Sequence, residues 1–330
     1  MFQASANSKP QSQAQAQSFK EQFSGVWVPL VTPFHKGVPD YDAAAKLARY
    51  LTDLGIDGLV LCSTTGEGPA LLPYEKARLI DRVTTSVAGD IPILMGIEGA
   101  NTAKIIAEIQ ELGDSSISGL LAPPPSYVRP DPPGLAKHFL SLADAFPLPI
   151  MLYDIPARTG VSLSIDMVAS LSATGNFPAI KACGLTDDRA RALLGIEGLA
   201  VLSGDDAFSS RLLELGGHGA VMATAQVVPH LVCQAFRDVK RLGPAAAQGA
   251  LSPLLPLISL MFRQANPGPV KAALAIQGWI RDELRCPMTS VSEELRNAIR
   301  EALDEIEGSP LVYETGTDHR NGHCPDKSWK

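Results

Sequence analysis

Eight short apolar runs, separated by stretches with helical spacing, restrict this chain's fold more than any other feature. The runs lie at 26–31, 58–62, 91–95, 119–122, 150–153, 179–181, 200–203 and 220–223. Between them, segments such as 41–54, 74–87, 102–112, 135–145, 165–171 and 207–215 carry apolar residues at helical intervals. Near-continuous apolar strands belong to a parallel sheet covered by helices, because a strand with one wet face alternates apolar and polar residues. Eight such units predict a closed (β/α)8 TIM barrel, an α/β fold, rather than an open sheet. No G-x-G-x-x-G follows the first strand, which argues against a dinucleotide-binding sheet. From Pro244 onward the pattern is helical only and predicts a C-terminal bundle of three helices.

The expected organisation is a lead-in at 1–22, a catalytic barrel at 23–243, a helical region at 244–310 and a polar tail at 311–330. The lead-in is rich in Gln, Ser and Ala, lacks the apolar segment of a signal peptide and reads as disordered. The tail reads the same way, its His319, His323 and Cys324 being solvated rather than metal-binding. The stretch 251–262 contains Pro253 and Pro256 and is too short to span a bilayer. A net charge of −7 without a basic patch excludes nucleic acid and anionic membranes as partners. Five scattered cysteines without C-x-x-C spacing point to a reduced, cytoplasmic protein. The six histidines form no ligand cluster, so neither a metal nor a metal-dependent aldolase mechanism is expected.

In such a barrel, chemistry sits where strands run into the following helices. That places Thr64-Thr65-Gly66-Glu67, Tyr153, Arg158, Lys181 and Gly204-Asp205-Asp206 on the active face. Gly216-Gly217-His218-Gly219 precedes the eighth strand and is a turn at the opposite end, despite its likeness to a phosphate loop. Lys181 ends an apolar run one strand–helix unit after Tyr153. Neighbouring parallel strands lie about 4.8 Å apart, so the amine and the phenol can reach one substrate carbon. An amine attacks a carbonyl only when neutral, and burial is expected to lower its pKa toward that state. Taken alone, Lys181 would read as a surface lysine ending a strand.

The 64–67 turn offers two hydroxyls and closely spaced N–H groups, suited to a small carboxylate, although an ordinary helix cap has the same residues. Arg158 could hold a second carboxylate bidentately. Tyr153 could relay protons if Thr64 and a second phenol orient it. Tyr127, on the proline-rich loop 123–130, is either that phenol or a surface aromatic pinned between prolines.

With these motifs in order, the chain resembles the dihydrodipicolinate synthase / N-acetylneuraminate lyase family of class I pyruvate-dependent aldolases. The resemblance runs from about Gly25 to Leu303. It rests on Pro29-Leu30-Val31-Thr32-Pro33-Phe34, Thr64-Thr65-Gly66-Glu67, Tyr153-Asp154-Ile155-Pro156-Ala157-Arg158-Thr159-Gly160, Ile180-Lys181, Leu202-Ser203-Gly204-Asp205-Asp206 and Asn266-Pro267-Gly268-Pro269-Val270-Lys271.

It implies a lyase that needs no cofactor and forms a Schiff base between Lys181 and pyruvate. Tyr153, Thr64 and Tyr127 would relay protons, with Tyr127 supplied by a neighbouring subunit of a homo-oligomer, a dimer or dimer of dimers. Thr65, Gly204 and Val221 would line the pyruvate site, and Arg158 would hold the acceptor's carboxylate. The double threonine and Arg158-Thr159-Gly160 are similar to the branch that condenses pyruvate with L-aspartate 4-semialdehyde in lysine and diaminopimelate biosynthesis. Ala182-Cys183-Gly184 departs from that branch, where an acidic residue or a Ser/Thr is common. A lyase or dehydratase acting on a 2-keto-3-deoxy sugar acid or related hydroxy-keto acid is therefore the alternative in the same family. A non-catalytic barrel kept for binding or assembly is the alternative from another class. Relatives that bind L-lysine do so at places held here by Gly68, Pro69, Pro73, Lys76, Ala100, Lys104 and Ser126, which implies insensitivity to lysine.

Overall fold

Alternation along each strand decides what the barrel encloses. In the computed structural model, which describes residues 20–111 and 116–308, eight parallel strands close on themselves in the order β1-β10-β9-β8-β7-β6-β5-β4. They are β1 (Gly25–Pro29), β4 (Gly58–Leu61), β5 (Ile93–Gly96), β6 (Gly119–Ala122), β7 (Ile150–Asp154), β8 (Ala179–Ala182), β9 (Ala200–Ser203) and β10 (Gly219–Val221). A small antiparallel pair, β2 (Phe34–His35) with β3 (Val38–Pro39), follows β1 and was not legible as strands. One buried cluster fills the barrel: Trp27, Val60, Leu94, Leu121, Met151, Tyr153, Ala179, Cys183, Ala200, Leu202 and Val221, with Phe23 stacked on Trp27 below it. Successive side chains of a strand face opposite sides. Met151 and Tyr153 thus point inward while Ile150 and Leu152 join the layer beneath the helices.

The helices around the barrel are α1 (Tyr41–Asp53), α2 (Pro73–Val87), α3 (Thr102–Glu111), α4 (Pro132–Ala145), α5 (Pro156–Thr159), α6 (Ile165–Ser172), α7 (Asp187–Leu194), α8 (Ser209–Glu214) and α9 (Pro229–Leu242). Asp40, Asp131, Ser164 and Thr186 cap four of them by accepting from an early backbone N–H.

Two expectations need correction. The C-terminal region holds four α-helices among the described residues, not three: α10 (Ala247–Leu251), α11 (Leu255–Met261), α12 (Gly268–Ile276) and α13 (Glu293–Glu307). Pro253 and Pro256 break what would be one helix into short pieces, because proline cannot donate to the preceding turn. Residues 20–22, placed in the disordered lead-in, are helical. The remainder of the lead-in, 1–19, and the tail with His319, His323 and Cys324 lie outside the described residues. By length and composition alone the 18-residue stretch 244–261 would suffice to cross a bilayer, but it is divided into short helices. Here its Ala247, Leu251, Leu254, Leu257, Ile258 and Met261 are buried in the core.

The C-terminal helices are tied back to the barrel mouth by polar contacts. Lys271 of α12 forms a fully buried ion pair with Glu67 and donates to the Glu283 carbonyl at 2.8 Å. Arg285 pairs with Glu75 at 2.6 Å.

Candidate active site

Tyr153 and Lys181 stand opposite each other in the β7–β8 register, both pointing into the barrel at its active end. The Lys181 amine lies 4.1 Å from the centroid of the Tyr153 ring. Asp154, the next residue, faces outward and is fully buried. It pairs with Arg189 at 2.5 Å and accepts from Leu163 N at 3.1 Å, which locks the end of β7 and with it the direction of Tyr153.

Burial does not free the amine as the sequence led us to expect. Desolvation pushes the Lys181 pKa down, but the Tyr153 phenol, the Cys183 thiol and the Asp206 carboxylate together outweigh it, and the net shift is upward. Burial also raises the Tyr153 phenol, against the lowering charge of Lys181, and pushes the Cys183 thiol up to about 12. A protonated Tyr153 phenol can accept the lysine's proton only if it passes its own proton onward in the same step.

Within one chain that onward route is not joined. Thr64 is half-buried and makes no side-chain hydrogen bond among the described residues. Tyr127 is 94% exposed, with a left-handed φ of 72°, and makes no side-chain hydrogen bond among the described residues.

The 64–67 segment, expected to hold a carboxylate, is a tight turn. Cys62 and Glu67 adopt left-handed conformations, with φ of 54° and 52°, and curl the chain between them into a tight turn. Glycine at 66 is required by close approach: a Cβ there would lie 2.9 Å from the Leu30 carbonyl oxygen. Thr32 Oγ1 donates to the Gly66 carbonyl at 2.6 Å and fixes the turn from β1. The backbone N–H groups of Thr64, Thr65 and Gly66 have no acceptor among the described residues, as an anion-binding turn requires.

Gly204 leaves room beside the lysine. A Cβ there would sit 2.4 Å from Cys183 Sγ and 3.1 Å from Lys181 Cε, so the thiol packs where any larger residue would press on the lysine stem. Val221 lines the same interior. Asp206 is committed to structure, accepting from Ala223 N at 3.2 Å and Thr224 N at 2.7 Å. Arg158, at the end of α5, is exposed and forms no ion pair among the described residues, while its charge lowers the pKa of both Tyr153 and Glu98. The Gly216–Gly219 segment is a turn at the far end, where His218 O accepts from Gly25 N at 2.9 Å.

Two groups near the cradle escaped the sequence. Glu98 follows β5, and its Oε1 is buried without a hydrogen-bond partner among the described residues. Burial first, then the Glu108 charge, raise its pKa to about 7 against the opposing charges of Lys76 and Arg158. Asn266 donates from Nδ2 to Thr65 Oγ1 at 3.0 Å, across 201 residues of chain. Its motif was visible, but only tertiary contact shows what it touches.

The family model described as the dihydrodipicolinate synthetase family matches residues 22–306. A 4-hydroxy-tetrahydrodipicolinate synthase of Prochlorococcus marinus is 36% identical over 295 residues, covering 86% of this chain and 95% of the relative. The 4-hydroxy-tetrahydrodipicolinate synthase structure from Methylacidiphilum fumariolicum SolV superposes with a TM-score of 0.84 at 31% identity, covering 89% of this chain and 99% of that one. The chloride-inhibited dihydrodipicolinate synthase of Acinetobacter baumannii, complexed with pyruvate, superposes with a TM-score of 0.83 at 30% identity, covering 86% and 99%.

Proposed function

Because the chain belongs to the dihydrodipicolinate synthetase family, we propose that it condenses pyruvate with L-aspartate 4-semialdehyde through an imine on Lys181. The observation that carries this reading is the facing pair of Tyr153 and Lys181 on adjacent strands, beside a turn with unpaired N–H groups.

The steps follow from these groups. Pyruvate's carboxylate is held by the amides of the 64–66 turn and the Thr65 hydroxyl. The free amine of Lys181 attacks the keto carbon, and loss of water leaves an iminium that withdraws electrons from the methyl carbon. Tyr153, having passed its own proton along the relay, takes a methyl proton, giving an enamine whose carbon attacks the aldehyde carbon of the acceptor. The new alkoxide takes a proton from the Tyr153 relay. Arg158 supports a carboxylate-bearing acceptor, since its guanidinium has no competing ion pair among the described residues. Tyr127 completes the relay from a neighbouring subunit, in a dimer or dimer of dimers. Its 94% exposure leaves it available to do so. The absence of any C-x-x-C spacing and the acidic net charge support a cytoplasmic setting.

A second reading keeps the imine and changes the acceptor to a 2-keto-3-deoxy sugar acid. It is favoured by Cys183, whose neutral thiol abuts Lys181 where the related synthases commonly carry other residues nearby. Steady-state rates over both acceptor classes separate the two readings. We expect turnover with aspartate semialdehyde to exceed that with any sugar acid; the reverse order would transfer the assignment. Insensitivity to L-lysine belongs to the same reading. Lys76 is already paired with Glu108 at 2.5 Å, Glu98 abuts Gly68, and Lys104 stands exposed. A titration with millimolar lysine should leave the rate unchanged, and saturable inhibition would show the places to be wrongly matched.

A further inference from the structure

We propose that Asn266 is a positioning residue of the pyruvate site: it occupies the oxygen of Thr65 and thereby aims the Thr65 proton at the bound carboxylate. The inference rests on the reading that the 64–67 turn holds pyruvate's carboxylate.

A hydroxyl has one proton to donate and an oxygen that accepts. Thr65 is 4% exposed, so neither function can be left to bulk solvent. Its oxygen accepts from Asn266 Nδ2 at 3.0 Å, and the side chain makes no other hydrogen bond among the described residues. The proton is therefore unspent, in a turn whose amides at 64, 65 and 66 are unspent as well. The two kinds of donor converge on one small anion.

Asn266 is itself held to this turn. Five residues on, Lys271 forms the buried ion pair with Glu67, and Arg285 N donates to the other Glu67 oxygen at 3.0 Å. The C-terminal helical region thus grips the turn at positions 65 and 67. The Asn266 amide oxygen is buried and has no hydrogen-bond partner among the described residues. Turning the amide over would present that oxygen to Thr65, draw the hydroxyl proton away from the substrate and leave the cradle one donor short. The direction of this single amide is what the proposal assigns to function.

Two substitutions test it, with pyruvate KM read separately from kcat and from the semialdehyde KM. Asn266→Ala should raise pyruvate KM by about tenfold, the size of one lost hydrogen bond to a charged group. It should add nothing in a Thr65→Val background. Asn266→Asp keeps the shape but, once ionised, can only accept from Thr65. It should raise pyruvate KM further, with the defect shrinking as the pH is lowered from 8 to 6. Thermal melting of each variant shows whether it is folded, and the isosteric Asp variant carries the test if the Ala variant is not.

An unchanged pyruvate KM in a folded variant, or effects of Asn266→Ala and Thr65→Val that simply multiply, would overturn the proposal. So would an Asp variant whose pyruvate KM is insensitive to pH. Borohydride trapping of pyruvate on wild-type Lys181 is run alongside. If that adduct is missing, the reading of the site fails, which is a different result from an intact imine with an indifferent Asn266.

Discussion

At the scale of single residues, the sequence showed which groups were present but not their protonation or their partners. Lys181 and Tyr153 were legible because a strand's end and its alternating faces follow from the apolar pattern. The upward pKa shift of Lys181 was not legible, because it depends on Tyr153, and then on Cys183 and Asp206, crowding the same amine. Arg158 tests the acceptor. Replacing it by alanine should leave pyruvate imine formation intact while kcat/KM for aspartate semialdehyde falls, by an amount corresponding to about 2–4 kcal/mol for a lost bidentate charge contact. Normal turnover by Arg158→Ala would remove the main support for a carboxylate-bearing acceptor.

At the scale of elements, strands and barrel helices were read from hydrophobic spacing, whereas the loops that join them gave less away. The 64–67 segment was legible as a turn with closely spaced N–H groups, but Glu98 on the neighbouring loop gave no signal. A lone glutamate after a strand is ordinary until burial deprives it of a partner. Its folded-state pKa of about 7 lies above the ordinary 4.5, so the folded chain holds the proton more tightly than the unfolded one. The stability from this group is complete below pH 4.5 and is lost as the pH rises through 7. Glu98→Gln, which stays neutral, should match the wild type near pH 4.5 and exceed it at pH 8 by at most about 3 kcal/mol. Denaturant unfolding at the two pH values measures this, and an equal difference at both would contradict the assignment. The C-terminal helices were likewise expected as a bundle, while their grip on the cradle through Asn266, Lys271 and Arg285 was not. Those contacts join residues more than 200 positions apart.

For the whole molecule, the barrel followed from eight repeats of one pattern, since only closure covers both edges of a parallel sheet of short strands. The proposed assembly rests on Tyr127, whose ring is 94% exposed in the single chain. Mixing inactive Tyr127→Phe with inactive Lys181→Ala should restore part of the activity once subunits exchange, because a hybrid contains one site with both groups intact. No recovery after demonstrated exchange would place Tyr127 in its own chain's chemistry or outside the relay altogether. The central claim, a covalent imine at Lys181, is tested most directly by borohydride reduction in the presence of pyruvate, followed by peptide mass analysis. The account predicts a reduced pyruvyl adduct on the peptide carrying Lys181 and none in Lys181→Arg. An adduct on another lysine, or pyruvate-dependent turnover that survives in Lys181→Arg, would contradict it.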